Sequence, residues 1–160
     1  MFKLIVSKDN NVVSFDGKNL DLSKLEFGVL YFILKNNTRI ITREELYEKV
    51  WKTVVSSRSA DVVMSKIRTK FAYKDIIISK PNGYIFNNDI KFEIINDSSV
   101  DIKDTHYTVT LNPIYKKSDG SIVTVLNVAK TKDGAVVVVY NHESKNMIEN
   151  VEEFIKLVDL

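Results

Sequence analysis

The sequence predicts an α+β fold in two parts, and three observations carry that expectation. The first twenty residues alternate and turn like a small antiparallel sheet. Residues 23–71 change to a helical period opened by two capping boxes. From residue 107 the chain returns to strand patterns and closes on one more helix. A chain of 160 residues is long enough for one ordinary domain or two small ones.

The elements can be justified in order. Phe2–Ser7 is rich in β-formers, residues 8–11 are a turn cluster, and Val12–Phe15 is a second strand. Asp16 followed by Gly17 is a strong hairpin signal, with a third short strand near Asn19–Leu22. Ser23 and Glu26 have capping-box spacing, so a helix starts there. Its apolar face is Leu25, Val29, Phe32 and Ile33, and it stops near Asn36 and Asn37. Thr42 and Glu45 repeat the box for a second helix, with Leu46, Val50 and Trp51 on its buried side and Glu44 and Glu45 in the dipole-favoured first turn. Residues 53–57 form a loop, with Ser56 or Ser57 as the cap of a third helix.

That third helix is the most informative stretch. Ala60, Met64, Ile67 and Phe71 form one apolar stripe. Ser59, Val62, Lys66, Thr69 and Lys70 lie on or near other faces, flanked by Arg68. A helix with an apolar back and a front of small residues and cations can fill a DNA major groove. A hairpin pattern over residues 76–86 follows at once, and a helix followed by such a hairpin is the reading end of a winged helix.

Charge is distributed to match. Residues 1–90 carry 15 Lys and Arg against 10 Asp and Glu, whereas residues 91–160 carry 8 against 11. The basic excess therefore sits on the half with the candidate reading helix. The absence of cysteine excludes disulfides, thiolate zinc sites and cysteine nucleophiles, and suits a reducing cytosol. The N-terminus is too short and too soon charged for a signal peptide, and no apolar run approaches a membrane span.

Residues 1–87 resemble the OmpR/PhoB-type winged helix. Leu22 to Phe27 with Leu30 is similar to that family's first helix, and Ile41 to Leu46 with Val50 and Trp51 to its second. Arg58 to Val62 with Ile67 and Arg68 is similar to its recognition helix, and Gly83-Tyr84 to the end of its wing. The resemblance implies roles for particular residues. Arg58 would contact phosphate, Asp61 would orient a polar network, Lys66 would face base edges and Arg68 would reach the backbone. Lys80 would enter the minor groove from the wing tip, and Trp51 and Thr53 would lie where the family touches backbone. Ser65, Val63 and the Pro81-Asn82 tip depart from the family pattern, which leaves a less basic face and implies weak binding by a monomer. The chain opens directly on the first strand, so no receiver domain is expected ahead of it. Regulation would then come from residues 91–160, expression level or a partner.

Residues 88–106 read as a linker, although Lys91–Ile95 could be a strand, and residues 107–160 as a small β-rich domain of five short strands and a helix. An SH3-like barrel or a curled sheet fits, with Tyr115 and Tyr140 in the core. Asn150 caps the final helix, which turns Val151, Phe154, Ile155 and Val158 to one face. Val136–Val139 is apolar on both faces, so it should be central, or covered by the last helix or another subunit. Self-association or docking on the first half would suit so small a core.

Chemistry is not indicated. His106 and His142 have no second ligand at metal spacing. His142, Glu143 and Ser144 are catalytic residue types, but neighbours on one loop define no geometry. Lys130 to Gly134 is a hairpin, not a phosphate loop. The expectation is a sequence-specific regulator of transcription that binds double-stranded DNA and needs no cofactor or metal. The alternative is a winged helix kept as a scaffold for RNA polymerase or a host regulator. A homodimer is compatible with either, and the Asn-, Ile- and Lys-rich composition suits a low-GC bacterium or a phage.

Overall fold

The structure is a computed structural model that describes residues 1–52, 58–95, 109 and 113–158. Its elements are β1 (Lys3–Ser7), β2 (Val12–Phe15), β3 (Lys18–Leu20), α1 (Lys24–Lys35), α2 (Arg43–Leu46), α3 (Arg58–Phe71), β4 (Ile77–Lys80), β5 (Gly83–Phe86), β6 (Lys91–Ile95), β7 (Ile114–Lys116), β8 (Ile122–Lys130), β9 (Val136–His142), β10 (Lys145–Asn150) and α4 (Val151–Leu157). They group into two units. Unit 1 is Met1–Lys3 with Leu20–Lys91, and unit 2 is Leu4–Asn19 with Phe92–Leu160. Among the described residues, no helix is long and apolar enough to cross a membrane.

In unit 1 both capping boxes form. The Ser23 hydroxyl accepts the Glu26 N–H at 3.2 Å, and the Glu26 carboxylate accepts the Ser23 N–H at 2.8 Å. Thr42 and Glu45 do the same at 3.2 and 3.0 Å. The buried face of α1 is Phe27, Val29, Leu30, Ile33 and Leu34, which differs from the expected face at Leu25 and Phe32. Helix α1 packs on α3, on β5 and on the turn after α2. A helix covered on several sides buries a wide stripe and leaves Leu25 and Phe32 half-exposed at its margin.

Helix α2 passes into a π-helical turn, Tyr47–Trp51, closed by Lys52 in the left-handed region at φ 57°. The wider turn carries Val50 and Trp51 off the face that buries Leu46, so both are half-exposed rather than core. The loop expected at 53–57, with its cap at Ser56 or Ser57, lies outside the described residues. Strands β4 and β5 pair antiparallel from Ile77–Phe86 to Lys80–Gly83, which leaves Pro81 and Asn82 as a two-residue tip.

Among the described residues, unit 2 contains two four-stranded sheets, ordered β3-β2-β1-β6 and β10-β9-β8-β7. The second is an antiparallel meander, so the barrel alternative is replaced by two facing sheets. Strand β9 explains the choice. Val137 and Val139 meet Val12, Ile95, Ala129 and Ile148 between the sheets. Val138 and Tyr140 on the opposite face meet Phe154 and Ile155 of α4 with Val123, Val125 and Val128. A strand apolar on both faces needs two covers, and here they are α4 and the N-terminal strands. The Asn19 amide links the sheets, donating to the Ile148 carbonyl at 3.2 Å and accepting the Ile148 N–H at 2.7 Å. Asn146 donates to the Asn10 carbonyl at 2.8 Å.

The grouping departs from a single break at residue 87, because Leu4–Asn19 joins the C-terminal half. Strand β6 stands inside the expected linker, whose residues 96–106 lie outside the description, as does the expected strand at Tyr107–Leu111 apart from buried Val109.

Candidate nucleic-acid interface

Helix α3 is 14 residues long, which at 1.5 Å per residue is about 21 Å of rod. Ala60, Met64 and Ile67 have no exposed surface and Phe71 has 4%, so the expected stripe is the helix's inner face. Val63 joins it at 8% exposure. Its side chain is core, so its apolar character costs the outer face nothing. On that outer face Asp61, Val62, Ser65, Lys66, Thr69 and Lys70 are exposed, with Val62 at 51%. Arg58 opens the helix, but its side chain lies outside the description. Ser59 is half-buried.

A polar network fixes this helix against its neighbours. Asp61 Oδ1 accepts from the Arg43 guanidinium at 2.9 Å and from the Tyr84 hydroxyl. Arg43 also lies over the Tyr84 ring, 5.0 Å from its centroid. Tyr84 is fully buried, and a buried phenol requires a partner for its O–H. Burial, reinforced by the Asp61 carboxylate, pushes the Tyr84 phenol well above its ordinary range. The Tyr84 hydrogen bond and the Arg43 contact hold Asp61 below the usual carboxylate value, against the effect of burial.

The wing is held by backbone as well. Ile41 donates to the Tyr84 carbonyl at 2.7 Å, and Tyr84 donates to that of Ile41 at 2.9 Å. A Cβ at Gly83 would stand 2.1 Å from the Ile41 carbonyl oxygen, so only glycine lets the strands approach. Arg68 donates to the Ile77 carbonyl at 2.7 and 3.0 Å and to the Ser79 hydroxyl at 2.9 Å. Its guanidinium is thus a strut between α3 and β4.

Lys70 is also engaged within the unit. Its ammonium is 2.7 Å from the Glu26 carboxylate and 2.7 Å from the Asp21 carbonyl. Glu26 is only 5% exposed. Burial alone would raise its pKa, but the Lys70 hydrogen bond and the Ser23 N–H bring it below the ordinary value. Trp51 is half-exposed and stands edge-on to Tyr47, with centroids 5.5 Å apart. Thr53 lies outside the described residues. Lys80 is exposed beside the wing tip.

Of the cations named from sequence, Lys66 and Lys80 therefore project outward, whereas Arg68 and Lys70 are bound internally. The sequence reading missed Arg43 and Ser79 as members of the network. A tyrosine in the apolar strand β5 was the available signal for a buried partner, but its identity depends on tertiary contacts.

In unit 2, Glu143 and Ser144 occupy left-handed φ values of 49° and 64°. They are the turn between β9 and β10, and His142 instead shares a 3.0 Å hydrogen bond with Ser121.

Residues 17–86 match the family described as "Transcriptional regulatory protein, C terminal". The match is to this segment and not to the rest of the chain. The matched segment begins close to the Leu20 boundary of unit 1 and ends at Phe86, the last residue of β5. The chain is 33% identical over 69 residues to the response regulator ArlR of Staphylococcus saprophyticus, covering 42% of this chain and 31% of that protein. It is 30% identical over 83 residues to the transcriptional regulatory protein VxrB of Vibrio cholerae, covering 51% and 34%. The chain thus spans about a third of the length of these curated relatives. Among solved structures it is similar to the response regulator DrrB, an OmpR/PhoB homolog from Thermotoga maritima. That match has 33% identity and a TM-score of 0.44, and covers 48% of this chain and 38% of DrrB.

Proposed function

We propose that this protein is a sequence-specific regulator of transcription that binds double-stranded DNA through unit 1. Helix α3 enters the major groove and the β4–β5 wing reaches the adjacent minor groove. The observation that carries the reading is the split of α3 into a fully buried stripe and an outward face centred on Val62 and Lys66, with Lys80 projected beside it. Lys66 suits guanine O6 and N7, and Val62 suits a thymine methyl. Arg58, Ser59, Trp51 and Thr53 supply contacts around the rim in this reading. Arg68 and Lys70 support the fold of the site instead of touching DNA. The match of residues 17–86 to a transcriptional-regulator family supports the assignment. The protein acts by binding rather than catalysis, in the cytoplasm.

Selection of bound duplexes from a random pool tests this. Recovery of a defined motif supports it, and the number of motif copies reports whether one or two protomers bind. Recovery of unenriched sequence contradicts it.

The internal engagement of Arg68 and Lys70 favours a second reading, a scaffold that binds RNA polymerase or another protein. A pull-down from nuclease-treated lysate separates the two, since a scaffold's partners survive digestion.

A further inference from the structure

Unit 1 has a second surface, formed by α1 and the π-helical turn. Helix α1 and the π-helical turn meet where Gly28 faces Val50. A Cβ at Gly28 would lie 3.3 Å from Val50 Cγ1, so the glycine allows the two segments to close together. Beside that contact runs an open groove of about 520 Å³, lined by Leu25, Gly28, Tyr31, Phe32 and Val50, with Lys24 and Lys49 at its edges. Leu25, Phe32 and Val50 are half-exposed here. These are the same positions that a helical period assigns to a buried face.

Lysines flank the groove. Lys24, Gly28, Tyr31 and Lys35 follow one another at helical spacing along α1, so exposed lysines mark both ends of the face. Lys49 stands on the opposite wall. It pairs with Glu48 at 3.5 Å, so the positive character of the groove rests chiefly on Lys24 and Lys35 of α1. None of the described residues lining the groove is acidic. The face from Lys24 to Lys35 covers about 16 Å, or three helical turns.

We propose that this groove docks an acidic amphipathic helix of a partner protein. Apolar side chains at i, i+3, i+4 and i+7 of that helix would lie over Leu25, Phe32 and Val50, and its flanking carboxylates would meet Lys24, Lys35 and Lys49. The surface is separate from the outward face of α3, so the inference does not rest on the DNA reading.

The test is fluorescence anisotropy of the full chain with a labelled amphipathic peptide of about 16 residues, Leu on one face and Glu on the other. A peptide with Lys in place of Glu is the control. Saturable binding of the Glu peptide alone is expected. Phe32→Ser, and separately the double variant Lys24→Glu with Lys35→Glu, should each weaken it about tenfold or more. Circular dichroism melts show that each variant is folded, and the second alters only solvated side chains. Equal binding of both peptides, binding of neither, or unchanged binding by both folded variants overturns the proposal. Displacement of the peptide from wild type by non-specific duplex DNA overturns it too, because the groove would then be a nucleic-acid surface.

Discussion

The Asp61 carboxylate on α3 accepts the hydroxyl of buried Tyr84 on β5, so one hydrogen bond ties the outward-facing helix to the hairpin beside it. Arg43 completes the arrangement from α2 by pairing with Asp61 and covering the Tyr84 ring. Three elements that are separate in sequence are therefore registered through one carboxylate. In the proposed complex this fixes the distance between the major-groove and minor-groove contacts.

Tyr84→Phe should keep the ring and remove the hydrogen bond. We expect a loss of about 1–2 kcal/mol in urea unfolding. Affinity for a selected duplex should fall as well, because the wing loses one of its ties to α3 and keeps the Arg68 strut. Unchanged affinity in a folded variant would show that the network serves stability alone.

Gly83→Ala should be more severe. The added carbon overlaps the Ile41 carbonyl, and neither backbone can move without breaking the Ile41–Tyr84 bridge. A destabilisation of about 3 kcal/mol or more is expected in the unfolding of unit 1. A midpoint equal to wild type would show that the wing can open there without penalty.

The Glu26–Lys70 pair gives an acid limb to stability. Glu26 has a folded-state pKa below its ordinary 4.5, so its contribution is present above that value and is lost as pH falls through the folded one. Lys70→Met should lower stability at neutral pH by about 1–2 kcal/mol, a figure reduced for the partly solvated lysine. The gap between variant and wild type should narrow as pH falls below about 4.5. Urea midpoints at neutral and acid pH measure it, and a constant gap would contradict the assignment.

Unit 2 should need both ends of the chain. A fragment of residues 107–160 lacks Val12 and Ile95, which cover Val137, Val139 and Ile148. We expect it to lack a cooperative melt by circular dichroism. In the full chain, Asn19→Ala removes two hydrogen bonds to Ile148 and should cost about 1–3 kcal/mol. A fragment that melts sharply would show that the C-terminal sheet is self-sufficient.

Local physics made much of unit 1 legible in advance. The capping boxes at Ser23 and Thr42, the stripe from Ala60 to Phe71 and the two-residue wing tip each depend on residues within a few positions of one another. The doubly apolar run of β9 likewise announced a strand covered on both sides. What covers it is not legible, because Val12 packs against strands more than a hundred residues away. Chain order alone places the N-terminal strands with the winged helix, whereas Leu4–Asn19 groups with the C-terminal half. At the site, Lys66 and Lys80 were read as outward cations and stand outward. Arg68 and Lys70 carry the same charge on the same helix, but the Ile77 carbonyl and the Glu26 carboxylate that bind them come from other elements. The π-helical turn that moves Val50 and Trp51 has no local signature in their residue types.

In the proposed function Lys66 reads bases from the outward face of α3. The most direct test of that role is titration of wild type and Lys66→Ala against a selected duplex and single-base-pair variants of it. Wild type should discriminate at one or two positions by about 1–3 kcal/mol, and Lys66→Ala should lose this discrimination there while keeping its affinity for non-specific DNA. Equal discrimination by both proteins at every position would contradict it.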